Sequence, residues 1–376
     1  MKFMIKRSLE KNIELRLQDS KAIILYGPRQ IGKTTLLHQL FDNKESVLWW
    51  NGDEPDLRSL LETATSTSLN SVIGKNKILI IDEAQRIKNI GLCIKLITDN
   101  IKDVKVIATG SSSFELANKI NEPLTGRKWE FMLFPFSYNE MVNYHGIVEE
   151  RRLLEHRMIF GYYPDVVNNK GDEIPILKTI ANSYLYKDIL TWERIQKPQK
   201  MEKLVQALAY HVGSEVSNNE LGRICGMDNE TVEKYILLLE RAFIVFRLSS
   251  LSRNLRNELK KSRKIYFYDN GIRNSIINQF NPIGLRNDVG ALWENFIISE
   301  RMKHAEYNNI YMNRYFWRTK EQQEIDYIEE FEGILNAYEF KWKDGEKAKI
   351  TKTFTNAYNN YTFNVITSGN FESFLK

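Results

Sequence analysis

Apolar residues fall along this chain in short continuous runs and in helically spaced stretches. Residues 22–26 (AIILY), 78–81 (ILII) and 104–109 (VKVIAT) are short continuous apolar runs, the pattern of buried strands in an α/β sheet. SVLWWNGDEP and the aromatic run WEFMLF predict further strands, and TLLHQLF after residue 34 has helical spacing. From Lys203 an amphipathic helix runs to Gly213. SNNELGRICGMDNETVEKYILLLE then reads as helix, turn at Gly226 and helix, with Asp228 or Asn229 as the second cap. The strand IVFRL after this pair predicts a winged-helix-like region. Residues 289–303 (VGALWENFIISERMK) form an amphipathic helix, followed by the strands NIYMNRYFWR, QEIDYIEE and GILNAYEFKW, the helix KAKITKTFTNAY and the strand YTFNVIT. The chain is therefore read as α/β, with a first domain over 1–150, a helical connector or lid over 151–200, a winged-helix-like domain over 201–268 and an α/β domain over 269–376.

With 376 residues the chain exceeds one typical core, which agrees with several domains. Hydrophobic residues make up 43%, yet no apolar run reaches the roughly 18 residues of a membrane span, so a soluble protein without a membrane partner is expected. Met1 to Leu17 mixes Lys, Arg and Glu with Ile and Leu, unlike a secretion signal. Cys93 and Cys225 lie far apart without metal-ligand spacing, which points to a reducing cytoplasm. The net charge of +5 permits nucleic-acid binding without requiring it.

The strand AIILY leads directly into Gly27, Pro28, Arg29, Gln30, Ile31, Gly32, Lys33, Thr34 and Thr35, and then into a helix. This is a P-loop: loop amides wrap phosphates, the helix N-terminus adds its positive end, Lys33 reaches the β and γ phosphates and the Thr34 hydroxyl binds Mg²⁺. ATP with Mg²⁺ is the implied cofactor. The strand ILII delivers Asp82 and Glu83 to its end, where open α/β sheets bind ligands. Asp82 is suited to hold the metal, and Glu83 to polarise the attacking water. Thr109 and Ser111, at the polar tip of VKVIATGSSS, are candidates for sensing the γ-phosphate. Arg127 in LTGR is either a solvated arginine or a cation that neutralises transition-state charge, in its own chain or in a neighbouring copy of a homo-oligomer.

The stretches GPRQIGKTT, ILIIDEAQRI, ATGSSS, LTGR, LFPFSYNEM, GYYP and KIYFYDNGIRN resemble a family of prokaryotic AAA-plus-type ATPases with a C-terminal module of unknown function. The resemblance implies a P-loop NTPase core, a winged-helix region and a nuclease-like C-terminal fold.

The last domain's order of helix, three strands, helix and strand resembles the restriction-endonuclease-like core, with Asp326, Glu339 and Lys341 at its acid and E-x-K positions and Glu294 on the preceding helix. Glu339 and Lys341, two apart on a strand, share a face. A turn near Phe331 and Glu332 would pair Asp326 with Ala337, within diagonal reach of Glu339. Glu294, Asp326 and Glu339 could then hold Mg²⁺ or Mn²⁺ beside Lys341 for phosphodiester hydrolysis, or stand as ordinary charges on a binding scaffold. The predicted recognition helix is acidic at Asp228, Glu230, Glu233 and Glu240 against Lys234 and Arg241, a poor match to a phosphate backbone. Basic residues crowd instead into Arg253, Arg256, Lys260, Lys261, Arg263 and Lys264, either a phosphate contact or a solvated charge run. Two functions follow: an ATP-hydrolysing protein that acts on DNA or RNA, its C-terminal domain binding or cutting it, or an ATP-dependent switch for a protein partner whose nuclease-like domain is silent.

Overall fold

The computed structural model describes residues 5–110, 120, 123–182, 198–251 and 263–376. They form two compact units, Met1–Phe136 with Arg241–Phe243, and Ser137–Glu240 with Ile244–Lys376. Among the described residues no helix is long and apolar enough to cross a membrane.

In the first unit the apolar runs become strands β1 (Ala22–Tyr26), β2 (Val47–Asn51), β3 (Ile78–Asp82), β4 (Lys105–Gly110) and β5 (Lys128–Met132). All pair in parallel, in the order β2-β3-β4-β1-β5. β1 and β4 are buried at every position, as strands in the middle of a parallel sheet are. β4 lies between β1 and β3, and Leu25 pairs with Thr109 while Ile81 pairs with Ala108. Asp82, Thr109 and the loop after Tyr26 therefore emerge at one C-terminal sheet edge. The helices of this unit are α1 (Glu10–Leu15), α2 (Lys33–Phe41), α3 (Pro55–Glu62), α4 (Ser66–Ile73) and α5 (Ile90–Asn100).

The second unit opens with α6 (Tyr138–His145), whose N-terminus is fixed by a capping box between Ser137 and Glu140. Residues 137–150, grouped with the first domain by sequence, thus belong to the second compact unit. Helices α7 (Ile147–Arg152), α8 (Leu154–Phe160), α9 (Pro164–Asn168), α10 (Glu173–Asn182) and α11 (Pro198–Tyr210) follow. Strand β6 (Glu215–Val216) leads to the helix pair α12 (Asn218–Cys225) and α13 (Asn229–Arg241), then to strands β7 (Val245–Ser250) and β8 (Arg263–Phe267). Of the two candidate caps of α13, Asp228 is the one that accepts, from Thr231 N at 2.8 Å. After α14 (Asn270–Ile276) and α15 (Val289–Tyr307) come β9 (Asn313–Arg318), β10 (Glu324–Phe331), β11 (Ile334–Phe340), α16 (Lys352–Ala357), β12 (Tyr361–Ile366) and α17 (Phe371–Phe374).

Seven strands of this unit make one mixed sheet, β12-β11-β10-β9-β7-β8-β6. Because β7 pairs in parallel with β9 at Ser249 and Tyr315, the expected division at residue 268 falls inside a continuous sheet. The β10–β11 turn is the two-residue Glu332-Gly333, both at positive φ, with Phe331 opposite Ile334. That register pairs Ile328 with Ala337 and Tyr327 with Tyr338, so the next step sets Asp326 opposite Glu339. The expected pairing of Asp326 with Ala337 is corrected by two residues, because the turn lies one residue later than the sequence reading places it.

The YDNGIRN and GYYP segments are packed together rather than exposed. Buried Asp269 accepts from Tyr162 N at 2.7 Å and from Ile272 N at 3.2 Å. Asn270 donates to Met158 O and Leu292 O, both at 3.1 Å, and Arg273 donates to Ala209 O at 2.7 Å. Gly161, at φ +71, lies so close to the Asp269 carboxylate that a Cβ there would overlap it.

Candidate functional site

The loop after β1 is shaped by its backbone. Gly27 has φ +149, and a Cβ on it would overlap the Leu133 carbonyl. Gly32, left-handed at φ +86, precedes α2 without a side-chain cap, so the first-turn amides face the loop. Lys33 is buried and donates to Gly27 O at 2.9 Å and Pro28 O at 2.7 Å. Burial pulls its ammonium down to about 8, against the raising effect of Glu83 and Asp82.

Thr34, on the first turn of α2, donates from Oγ1 to Asp82 Oδ2 at 2.9 Å. Thr109 Oγ1 donates to the other Asp82 oxygen and accepts from Glu83 N at 3.2 Å. Glu83 sits at φ 48 just past β3, with its carboxylate bonded by Gln85 Nε2. The sequence-predicted residues Lys33, Thr34, Asp82, Glu83 and Thr109 thus meet at one sheet edge. The hydroxyl and carboxylate oxygens of Thr34 and Asp82 are the hard donors that Mg²⁺ prefers. A cavity of about 650 Å³ opens beside them, lined by Thr34, His38, Trp49, Asn51, Glu54 and Asp82, with His38 stacked on Trp49 at 4.1 Å.

Sequence reading missed Arg7. It is 4% exposed and donates from Nη1 to Ile31 O at 2.9 Å and from Nη2 to Phe134 O at 2.5 Å, with its guanidinium over the Phe136 ring. No local pattern marks it, since its partners lie 24 and 127 residues away. Ser111 falls outside the described residues. Arg127 stands elsewhere: it precedes β5, its carbonyl accepts from Ala22 N at the start of β1, and its Nε donates to Asp99 at 2.7 Å. It is at the sheet end opposite the loop, so a role in its own chain's phosphate site is corrected.

The C-terminal residues also come together, but as ion pairs. Glu294 on α15 accepts from Lys264 Nζ at 2.9 Å and Tyr266 OH at 2.6 Å. Lys264 also pairs with Glu324 at 2.5 Å. Asp326 accepts from Phe340 N at 2.9 Å, and Lys341 donates to Glu339 at 3.2 Å. Burial pushes Glu294 up to about 7, with Lys264 opposing and Asp326 adding to the shift. Burial and then the Asp326 charge likewise push Glu339 up to about 7, while Lys341 opposes. Among the described residues no group of three His, Cys, Asp or Glu side chains is arranged to hold a metal ion. In this arrangement Glu294 and Glu339 are engaged by Lys264 and Lys341. Lys264, expected as a phosphate contact or part of a solvated charge run, is 1% exposed, and Arg263 pairs with Glu233 at 2.9 Å. Arg253, Arg256, Lys260 and Lys261 lie outside the described residues.

Residues 19–142 match a AAA domain, 151–282 a domain of unknown function (DUF8612) and 289–371 another (DUF4143). An uncharacterized protein of Mycobacterium tuberculosis is 23% identical over 344 residues, 89% of this chain and 74% of its own length. One from Methanocaldococcus jannaschii is 22% identical over 348 residues, 85% of this chain and 74% of its own. A Walker-type ATPase of Pyrococcus abyssi shares the fold at a TM-score of 0.52 and 15% identity, over 73% of this chain and 96% of that one. The chain joins a AAA-type P-loop ATPase domain to a C-terminal module of unknown function. The AAA match and the ATPase fold support ATP binding.

Proposed function

We propose that this protein hydrolyses ATP with Mg²⁺ at the edge of the first sheet and uses the cycle to switch a second unit that binds a partner without cutting nucleic acid. The observation that carries the ATPase reading is the Thr34–Asp82–Thr109 chain of hydroxyl and carboxylate beside the uncapped start of α2. In this reading the amides of Gly27 to Thr34 cradle the phosphates, and Lys33 leaves the Gly27 and Pro28 carbonyls for the β and γ phosphates. Thr34 and Asp82 hold the metal, whose charge offsets that of the phosphates when it is bound. Glu83, steadied by Gln85, orients the attacking water, and Thr109 fixes Asp82 and Glu83 relative to each other.

The ion pairs at Glu294 and Glu339 favour binding over cutting. A further observation weighs against a phosphate backbone as the partner of α13: its acidic Glu233 and Glu240 face Arg247, and Glu233 also pairs with Arg263. A protein partner is the reading these contacts support.

The test compares wild type with Glu83→Gln for ATP binding and turnover, each with Mg²⁺ and with or without DNA and RNA. Glu83→Gln is expected to bind ATP within a few fold of wild type and to turn over at least about 100-fold more slowly. No turnover by wild type under any of these conditions would overturn the ATPase reading, and weak ATP binding by the variant would remove the assignment of Glu83. Strand cleavage lost in both Asp326→Ala and Lys341→Ala would restore the nuclease reading.

A further inference from the structure

We propose that Lys264 is the resident cation of the nuclease-like pocket, an ammonium built into the fold where a divalent metal would otherwise sit, so that the pocket binds no metal. The inference deepens the non-cutting part of the reading above and is independent of the ATPase part. It starts from the sheet. β8 pairs antiparallel with β7, and β7 pairs in parallel with β9, so the strand bearing Lys264 belongs to the same sheet as the strands bearing Glu324, Asp326 and Glu339. A lysine from the middle of the chain is thereby carried to the carboxylates of its C-terminal part.

The contacts are those of a cation inside a site. Lys264 Nζ is 2.9 Å from Glu294 Oε1 and 2.5 Å from Glu324 Oε1, and it lies 5.6 Å from the centre of the Phe316 ring. Tyr266, two residues along and on the same face, donates to the same Glu294 oxygen at 2.6 Å. Gly213 closes over this carboxylate, for a Cβ there would come within 3.3 Å of it. Arg318 adds a second positive charge 3.7 Å from Glu324. Glu294, the acid the nuclease-like pattern offers from its helix, is thus already satisfied by an ammonium and a phenol. The acids on the strands are likewise engaged, Asp326 by Phe340 N and Glu339 by Lys341.

A divalent ion entering this pocket would have to share Glu294 with an ammonium under 3 Å away, in a setting where water does little to screen the repulsion. Lysine can fill such a place because its three donors reach several oxygens from one compact charge. Removing it leaves the half-buried Glu294 with only the Tyr266 hydroxyl and Glu324 with only Arg318, which is destabilising.

The test uses the full chain without nucleotide, so that its outcome bears on the pocket and leaves the ATPase reading to its own assay. Mn²⁺ binding is followed by electron paramagnetic resonance and by the thermal unfolding midpoint, for wild type, Lys264→Met, Lys264→Arg and Lys264→Met with Glu339→Gln. Wild type and Lys264→Arg are expected to show no Mn²⁺ response that depends on Glu339. Lys264→Met is expected to unfold at a lower temperature and to recover about 5 °C or more with Mn²⁺, a recovery lost in the double variant. A folded Lys264→Met that gains no Mn²⁺ response overturns the proposal. If Lys264→Met does not fold, wild type decides: one Mn²⁺ per chain, abolished by Asp326→Asn or Glu339→Gln, overturns it, and no such binding supports it.

Discussion

Arg7 illustrates what a single buried side chain does at a phosphate loop. Two of its guanidinium nitrogens donate to the carbonyls of Ile31 and Phe134, tying the loop to the segment after β5. Truncation removes these donors from the Ile31 and Phe134 carbonyls, a cost of about 1–3 kcal/mol each that the loop can avoid by moving. Arg7→Ala is therefore expected to weaken ATP binding about tenfold or more, with a smaller change in turnover at saturation, and Arg7→Lys to restore part of it. Calorimetric titration with ATP beside steady-state kinetics checks the split, and unchanged affinity in Arg7→Ala would remove the positioning role. The residues of the loop itself were legible in the sequence, since their spacing is dictated by a ligand that demands small residues, a lysine and a hydroxyl in fixed order. Arg7 was not legible, because a guanidinium bonding to carbonyls leaves no preference in the residues that carry them.

At the scale of elements, the turn from β8 into α14 gathers the second unit. Asp269 accepts from the backbone of both Tyr162 and Ile272 while wholly surrounded by protein, and burial raises its carboxyl above the ordinary range. Asparagine at this position keeps one acceptor oxygen and turns an NH₂ toward a donor. Asp269→Asn is thus expected to lower the stability of the second unit by about 1–3 kcal/mol, measured by chemical denaturation. A raised folded value means that the carboxyl holds its proton more tightly in the native state than in the unfolded chain. Its contribution to stability is full below the ordinary carboxylate range and declines as pH rises through and above that range, a slope that Asp269→Asn should remove. The strands and helices were largely legible as periodicities. Register was not: the Glu332-Gly333 turn moved Asp326 from beside Ala337 to opposite Glu339, because one residue in a hairpin shifts the facing pair by two.

Over the whole chain, Arg127 separates a motif from a site. It pairs with Asp99 at the sheet end away from the phosphate loop, so Arg127→Ala is expected to leave turnover per chain within about twofold of wild type at low protein concentration. Turnover measured over a range of concentrations checks this, and a loss of tenfold or more in the most dilute samples would overturn the placement. A loss confined to concentrated samples would assign the arginine to a neighbouring copy. By itself the sequence determined the nucleotide loop, the acidic pair Asp82 and Glu83, the buried strands of the first sheet and the acidic and basic residues of the C-terminal pattern, all of which rest on short spacings and on the apolar pattern along a few residues. The tertiary structure alone decided that Arg7 braces the loop, that Arg127 faces away from it and that Lys264 lies among the C-terminal carboxylates. Those facts depend on which distant strands become neighbours, and strand pairing brings together side chains whose separation in the chain carries no local signal.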